Sequence, residues 1–260
     1  MTKQFFTLIL FCTALSSYVF SQQKTTGVIY YDQTIDFKAM TAQQSADGQQ
    51  RRIMMGGNMP DKITNKFEII FNPNGAKLQK SVIEDNAAPA EGATGGGGMT
   101  MMRFGGGADR EVFFTGSTKI TESFELSGEP VLLEAELGNQ SKEAELSTET
   151  RKIIGFDCKK ATITGRNGSK TTIWYTNALP LKASPMPAMW TEGVVLGIEN
   201  ERMKYFATSI EYSKVKDSEV ATPKKGRVIT QEEYQKKMEE MRSRFRGNGP
   251  AGQREIRIQQ

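Results

Sequence analysis

Residues 151–176 read RKIIGFDCKKATITGRNGSKTTIWYT, and this stretch decides the fold class. Runs rich in β-branched and aromatic residues flank Asn167-Gly168. An Asn-Gly pair between such runs is a strong signal for a two-residue β-hairpin. Pairing across that turn puts Ala161, Ile163 and Trp174 on one face, with Cys158, Ile173 and Tyr175 on the other. Both faces carry apolar side chains, which predicts a hairpin interior to a sheet.

Working outward, the same period-two pattern recurs. In Val28–Phe37, Ile29, Tyr31, Ile35 and Phe37 share one parity and Asp32, Thr34 and Asp36 the other, which predicts a first strand. Phe67–Phe71 is a short apolar run closed by the turn Asn72-Pro73-Asn74-Gly75, with Ala76–Glu84 returning antiparallel. Strand-like segments follow at Val112–Thr115, Lys119–Leu126 and Pro130–Glu136, whereas Asn139–Glu149 reads as polar and irregular. Beyond the hairpin, a link punctuated by Pro180, Pro185 and Pro187 leads to strands at Gly193–Glu199 and Met203–Val215, the latter with Phe206, Ile210 and Tyr212 on one face. The expected architecture is mostly β: a curved antiparallel sheet of eight to ten strands, or an open half-barrel, with a C-terminal amphipathic helix. Such a sheet with a concave apolar face has the outline of a lipoprotein carrier, an analogy of architecture alone.

The ends set the boundaries. Lys3 followed by the apolar run Phe5–Phe20 and a cleavage site at Val19-Phe20-Ser21 predicts a signal peptide over residues 1–21. That run falls short of a bilayer span, so no transmembrane segment is expected after cleavage. Residues 22–216 form the β-rich domain, interrupted by low-complexity Met/Gly loops at 41–61 and 86–108. Residues 217–260 read as a basic linker, a helix over 230–246 and a frayed tail. Thr230 and Glu233 make a capping-box pattern, and Tyr234, Met238, Met241 and Phe245 recur at helical spacing. From Lys214 onward 12 Lys and Arg outnumber 7 Asp and Glu, which suits contact with an anionic lipid, polymer or partner as well as a solvated tail.

The chain of 260 residues contains no histidine. Ser-His-Asp and Cys-His catalysis, His-based zinc sites and the usual neutral-pH general base are thereby removed, and the protein reads as a non-enzyme. Cys12 lies inside the signal, leaving Cys158 as the one thiol of the mature chain, where it reads as a small strand hydrophobe. No metal or cofactor is expected. The methionines are the unusual cluster: Met54, Met55 and Met59 in one loop, Met99, Met101 and Met102 in another. Thioethers at such spacing suit Cu(I), but beside so many glycines they fit an adaptable contact loop better. A phosphate loop fails because no Lys-Ser or Lys-Thr follows the glycines, and nucleic-acid binding fails because the basic residues lack interleaved aromatics.

The run from Arg151 through Gly155 to Cys158, Lys159, Lys160 and Ala161, followed by Trp174, Tyr175 and Thr176, resembles the GLPGLI family of secreted Bacteroidetes proteins. Members show I-x-G-x-x-C-K-K-A, then W-Y-T and a Pro-containing link, kept here as Leu179-Pro180 and Ser184-Pro185. The naming motif departs: residues 191–199 read TEGVVLGIE, so only Gly193, Gly197 and Ile198 echo it. The resemblance covers about residues 150–215 and implies an envelope location, with no catalytic residues to carry over.

Together these readings predict an exported cell-envelope protein, periplasmic, outer-membrane associated or extracellular, acting as a non-enzymatic interaction protein. Its candidate contacts with an outer-membrane or periplasmic protein partner are Met54, Met55, Met99, Met101, Met102, Tyr234, Met238, Met241 and Phe245. The alternative is a periplasmic carrier holding a lipid or other apolar ligand in the concave face.

Overall fold

A computed structural model describes residues 25–39, 61–81, 110–116, 118–165 and 168–247, apart from the side chains of residues 242 and 244–247. Within them lie β1 (Gly27–Asp36), β2 (Lys62–Asn72), β3 (Gly75–Lys80), β4 (Glu111–Phe114), β5 (Lys119–Leu126), β6 (Glu129–Glu136), β7 (Glu145–Ile153), β8 (Phe156–Thr164), β9 (Lys170–Thr176), β10 (Val194–Glu199), β11 (Met203–Glu211) and β12 (Arg227–Ile229), with helices α1 (Asp217–Val220) and α2 (Gln231–Gly247). The strands join in one open sheet ordered β12-β6-β5-β4-β3-β2-β1-β11-β10-β9-β8-β7. Every pairing is antiparallel except β12 on β6. The mostly-β, open-sheet expectation therefore holds.

The alternation of β1 builds the centre. Ile29 and Tyr31 are buried while Tyr30, Asp32 and Thr34 on the opposite parity stay half-exposed. The buried Tyr31 hydroxyl donates to the Val195 carbonyl at 3.0 Å, so its polar end is satisfied and β1 is tied to β10. At the β2–β3 hairpin, Asn72 Oδ1 accepts from the backbone N–H of Asn74 (2.8 Å) and of Gly75 (3.2 Å), an Asx turn that fixes the reversal.

The chain forces this sheet to curl. β6 and β7 stand ten inter-strand steps apart, about 48 Å on a flat sheet. The residues 137–144 that connect them reach about 30 Å fully extended. Accordingly one core cluster draws on both halves of the sheet: Ile69, Leu78, Val112 and Phe114 from β2 to β4, and Cys158, Trp174 and Val194 from β8 to β10. Burying each large side chain contributes about 2 kcal/mol. A second cluster gathers Ala161, Ile173, Tyr175, Val195, Ile198 and Tyr205.

Four expectations need correction. The hairpin pairs Thr164 with Lys170 and Ala161 with Ile173, leaving a five-residue connection in place of a two-residue turn. Gly165 N–H donates to the Ser169 carbonyl at 2.8 Å inside it. That slip of one residue exchanges faces: Ala161 and Ile163 lie with Ile173 and Tyr175, and Cys158 lies with Trp174. On β11 a bulge opposite Tyr30/Tyr31 sets Phe206 against Asp32 and Ile210 against Ile29, so the two fall on opposite faces. Polar Asn139–Glu149 is not wholly irregular, for β7 begins at Glu145; every side chain before Ile153 is exposed because it is an edge strand. Its charges and the register shift between Leu146 and Thr150 blunt that edge. Finally, the twelve strands among the described residues exceed the expected eight to ten, because β7 and the three-residue β12 carry no alternation to read. β12 and α1 lie in the stretch read as a linker.

Candidate functional site

The partner contacts expected from the sequence divide into two groups. Met54, Met55, Met99, Met101 and Met102 lie outside the described residues. Those on α2 start from a helix whose N-terminus is set by Thr230, with Glu233 N–H donating to Thr230 Oγ1 at 3.2 Å. The Glu233 carboxylate is engaged by Arg227 at 2.5 Å. Tyr234 and Met241 pack on Leu126, Val131, Leu133 and Ile229, so this side of the helix covers its own sheet. Met238 is half-buried, and the Phe245 side chain lies outside the described set.

Beneath α2, Arg110 and Glu122 form a close ion pair, both largely buried. The Arg110 guanidinium stacks on Phe124 at 4.3 Å and on Tyr234 at 5.6 Å, and the two rings meet edge to face. Burial raises the Glu122 carboxyl above its ordinary range, and the Arg110 charge opposes that shift. Arg110 Nε is buried without a hydrogen-bond partner. The arrangement clamps helix to sheet, and an open hollow of about 700 Å³ lies along the helix beside Tyr234 and Met238.

A larger opening occurs where the ends of β1 and β10 meet the starts of β2, β9 and β11. It is a groove of about 860 Å³ lined by Thr34, Asp36, Lys62, Ser169, Lys170, Thr172 and residues 199–204. The polar β10–β11 turn builds one wall. Asn200 Oδ1 accepts from the backbone N–H of Arg202 and of Met203, each at 3.0 Å, which locks the turn. On another wall Asp36 Oδ1 accepts from Ala39 N–H at 2.9 Å, and Lys62 stands 3.5 Å from the same carboxylate. The Ala39 N–H, and then the Lys62 charge, hold the Asp36 carboxyl below the usual carboxylate range against partial desolvation.

Glu199 links the groove to an aromatic layer. Trp174 Nε1 donates to Glu199 Oε1 at 3.0 Å, and Arg151 Nη1 approaches the same oxygen at 3.5 Å. The Arg151 guanidinium lies 4.8 Å from the Phe206 ring and 5.7 Å from Trp174. Gly197 separates these rings across the sheet, paired with Trp174 on one side and Phe206 on the other. A Cβ there would come within 2.7 Å of the Phe206 ring, so glycine lets the ring approach the β10 backbone this closely. The row thus runs Lys160, Trp174, Gly197, Phe206, Asp32.

Cys158 is buried, its thiol pushed up to about 11 by desolvation, which fits the packing role read from the sequence. Among the described residues no group of three or more Cys, Asp and Glu is placed to hold a metal ion. None of the described helices is long and apolar enough to cross a membrane. Sequence reasoning missed the groove because its lining comes from five strand ends far apart in the chain. The one local hint was the polar run Glu199–Arg202 between two strands.

The class is a mostly-β protein built on one curled, open antiparallel sheet. Residues 117–235 match the family model described as the N-terminal domain of an N-glycanase peptide. Two crystal forms of PNGF-II share the fold: one superposes with a TM-score of 0.54 at 19% identity over 84% of this chain, the other with 0.52 at 20% over 82%. In both cases the chain spans 33% of the length of the PNGF-II chain. No curated protein sequence matches.

Proposed function

We propose that this is an exported cell-envelope protein acting as a non-enzymatic interaction module, and that carbohydrate is the ligand class its groove takes. The groove carries the reading. Hydroxyls of Thr34, Ser169 and Thr172, carboxylates of Asp36, Glu199 and Glu201, and the cations beside them supply the donors and acceptors that a polyhydroxylated ligand needs. The name of the matched N-glycanase family points to the same ligand class. Export is supported by the signal-peptide pattern over residues 1–21 and the GLPGLI resemblance of residues 151–176. The Met/Gly loops and the basic C-terminal tail are the natural contacts with an outer-membrane or periplasmic protein.

Two features favour binding over catalysis. A general acid for glycoside chemistry needs a raised carboxyl pKa, whereas Asp36 is lowered and paired with Lys62. Glu199 is occupied by Trp174 and Arg151. The carrier alternative needs an open apolar interior, and in the main core cluster Ile29, Phe71, Phe114, Trp174 and Leu196 are themselves buried and packed together.

Calorimetric titration of the mature protein with a released high-mannose N-glycan tests the reading. Binding in the micromolar to millimolar range is expected, weakened about tenfold by the double variant Thr34→Ala, Thr172→Ala, which removes two hydroxyl contacts. No heat of binding up to about 5 mM glycan would overturn it.

A further inference from the structure

We infer that the groove prefers an anionic saccharide, one bearing carboxylate or sulfate groups, over a neutral one; this rests on the carbohydrate reading above. The lining holds Lys62, Lys170, Arg202 and Lys204 against Asp36, Glu199 and Glu201. Two of those three carboxylates are already neutralised, Asp36 by Lys62 at 3.5 Å and Glu199 by Arg151 at 3.5 Å. Glu201, on the exposed turn, is left to balance Lys170 and Lys204.

Lys170 and Lys204 carry the surplus. Both are exposed and both line the groove. Lys170 opens β9 opposite Thr164, and Lys204 sits on β11 between Glu199 of β10 and Thr34 of β1. The carboxylate facing Lys204 is the one whose Oε1 receives Trp174 and Arg151. The ammonium groups therefore remain available for an incoming anion, while Thr34 and Thr172 lie beside them for sugar hydroxyls. Setting matters as well. Excluding Lys3 of the signal and the segment from Lys214 onward, the chain has a formal charge near −2, so a positive groove in that body is a local feature that focuses an anion.

Tetragalacturonate and its fully methyl-esterified form share a backbone and differ in charge, which makes them the probes. Titrated into the mature protein in about 50 mM salt, tetragalacturonate should bind at least about tenfold tighter than the ester, with the preference shrinking in about 500 mM salt. In the double variant Lys170→Gln, Lys204→Gln the two sugars should bind equally, with circular dichroism and melting unchanged. Equal binding of both sugars to the wild-type protein would overturn the inference and leave the carbohydrate reading standing. A preference that survives the double variant would place the anion elsewhere, on the basic tail for example, and would also overturn it. Failure of both sugars and of the neutral high-mannose glycan would instead remove the carbohydrate reading itself.

Discussion

Gly193→Ala should destabilise the protein by about 3–5 kcal/mol and lower its melting temperature by about 10 °C. Gly193 sits at φ +58°, a region that disfavours a side chain. The backbone conformation is the smaller difficulty. A Cβ there would run into the Thr176 carbonyl oxygen and the Asn177 side chain, and a backbone carbonyl inside a sheet has nowhere to move. Two contacts would be lost with it. The Gly193 carbonyl accepts from Trp190 Nε1 at 2.8 Å and from Ala183 N–H at 3.2 Å, which together hold the Pro-rich link against β10. Gly155→Ala is the control: it has φ +89° but no atom within 4 Å of the added Cβ, so it should cost only about 1–2 kcal/mol. Equal losses in the two variants, measured by urea unfolding, would contradict the steric account.

Arg110→Met should cost about 3 kcal/mol and free α2, because it leaves the buried Glu122 carboxylate without its cation. It also removes the guanidinium's contacts with the Phe124 and Tyr234 rings. Hydrogen exchange should therefore accelerate across α2 and β12 while β1 and β2 stay protected. The pH dependence has a definite sign. Burial raises the Glu122 carboxyl in the folded state, so the native protein holds the extra proton between the unfolded and folded values. Stability consequently falls as pH rises through that window. The Arg110 charge opposes the shift, so its removal widens the window upward and steepens the fall toward neutral pH. An unchanged slope would show that Glu122 is not held by Arg110.

Much of this sheet was legible locally, and its misreadings have local causes. β1 declared itself because Ile29 and Tyr31 alternate with Asp32 and Thr34, and a central strand with one buried face must alternate. β5 was read with its true limits, Lys119–Leu126, and α2 was displaced by one residue because its Thr230 cap is unambiguous. The β8–β9 register slipped because Asn167-Gly168 favours a two-residue turn, while the paired strands settle the longer loop from Gly165 to Ser169. The bulge on β11 left no mark in the sequence, since an extra residue between Ala207 and Ser209 changes no composition. β7 was hidden for the opposite reason: as an edge strand with both faces solvated it needs no apolar alternation.

The site was less legible than the fold. Trp174 and Arg151 belonged to the best-patterned segment, yet their shared acceptor Glu199 lies 25 residues from Trp174 and 48 from Arg151 in the chain. Thr34, Lys62 and Lys204 come to one groove only because β1 pairs with β2 on one side and β11 on the other. The α2 stripe was read correctly as amphipathic. What covers it, namely Leu126, Val131, Leu133 and Ile229, depends on β12 joining β6, a pairing no periodicity announces.

The central claim is that this groove is the ligand-binding surface, and amide chemical-shift mapping of the isotope-labelled protein tests it most directly. On adding the high-mannose N-glycan, saturable shifts should appear at residues 34–36, 169–172 and 199–204 and leave α2 undisturbed. Saturable shifts that avoid those three segments, or that run along α2 instead, would contradict it.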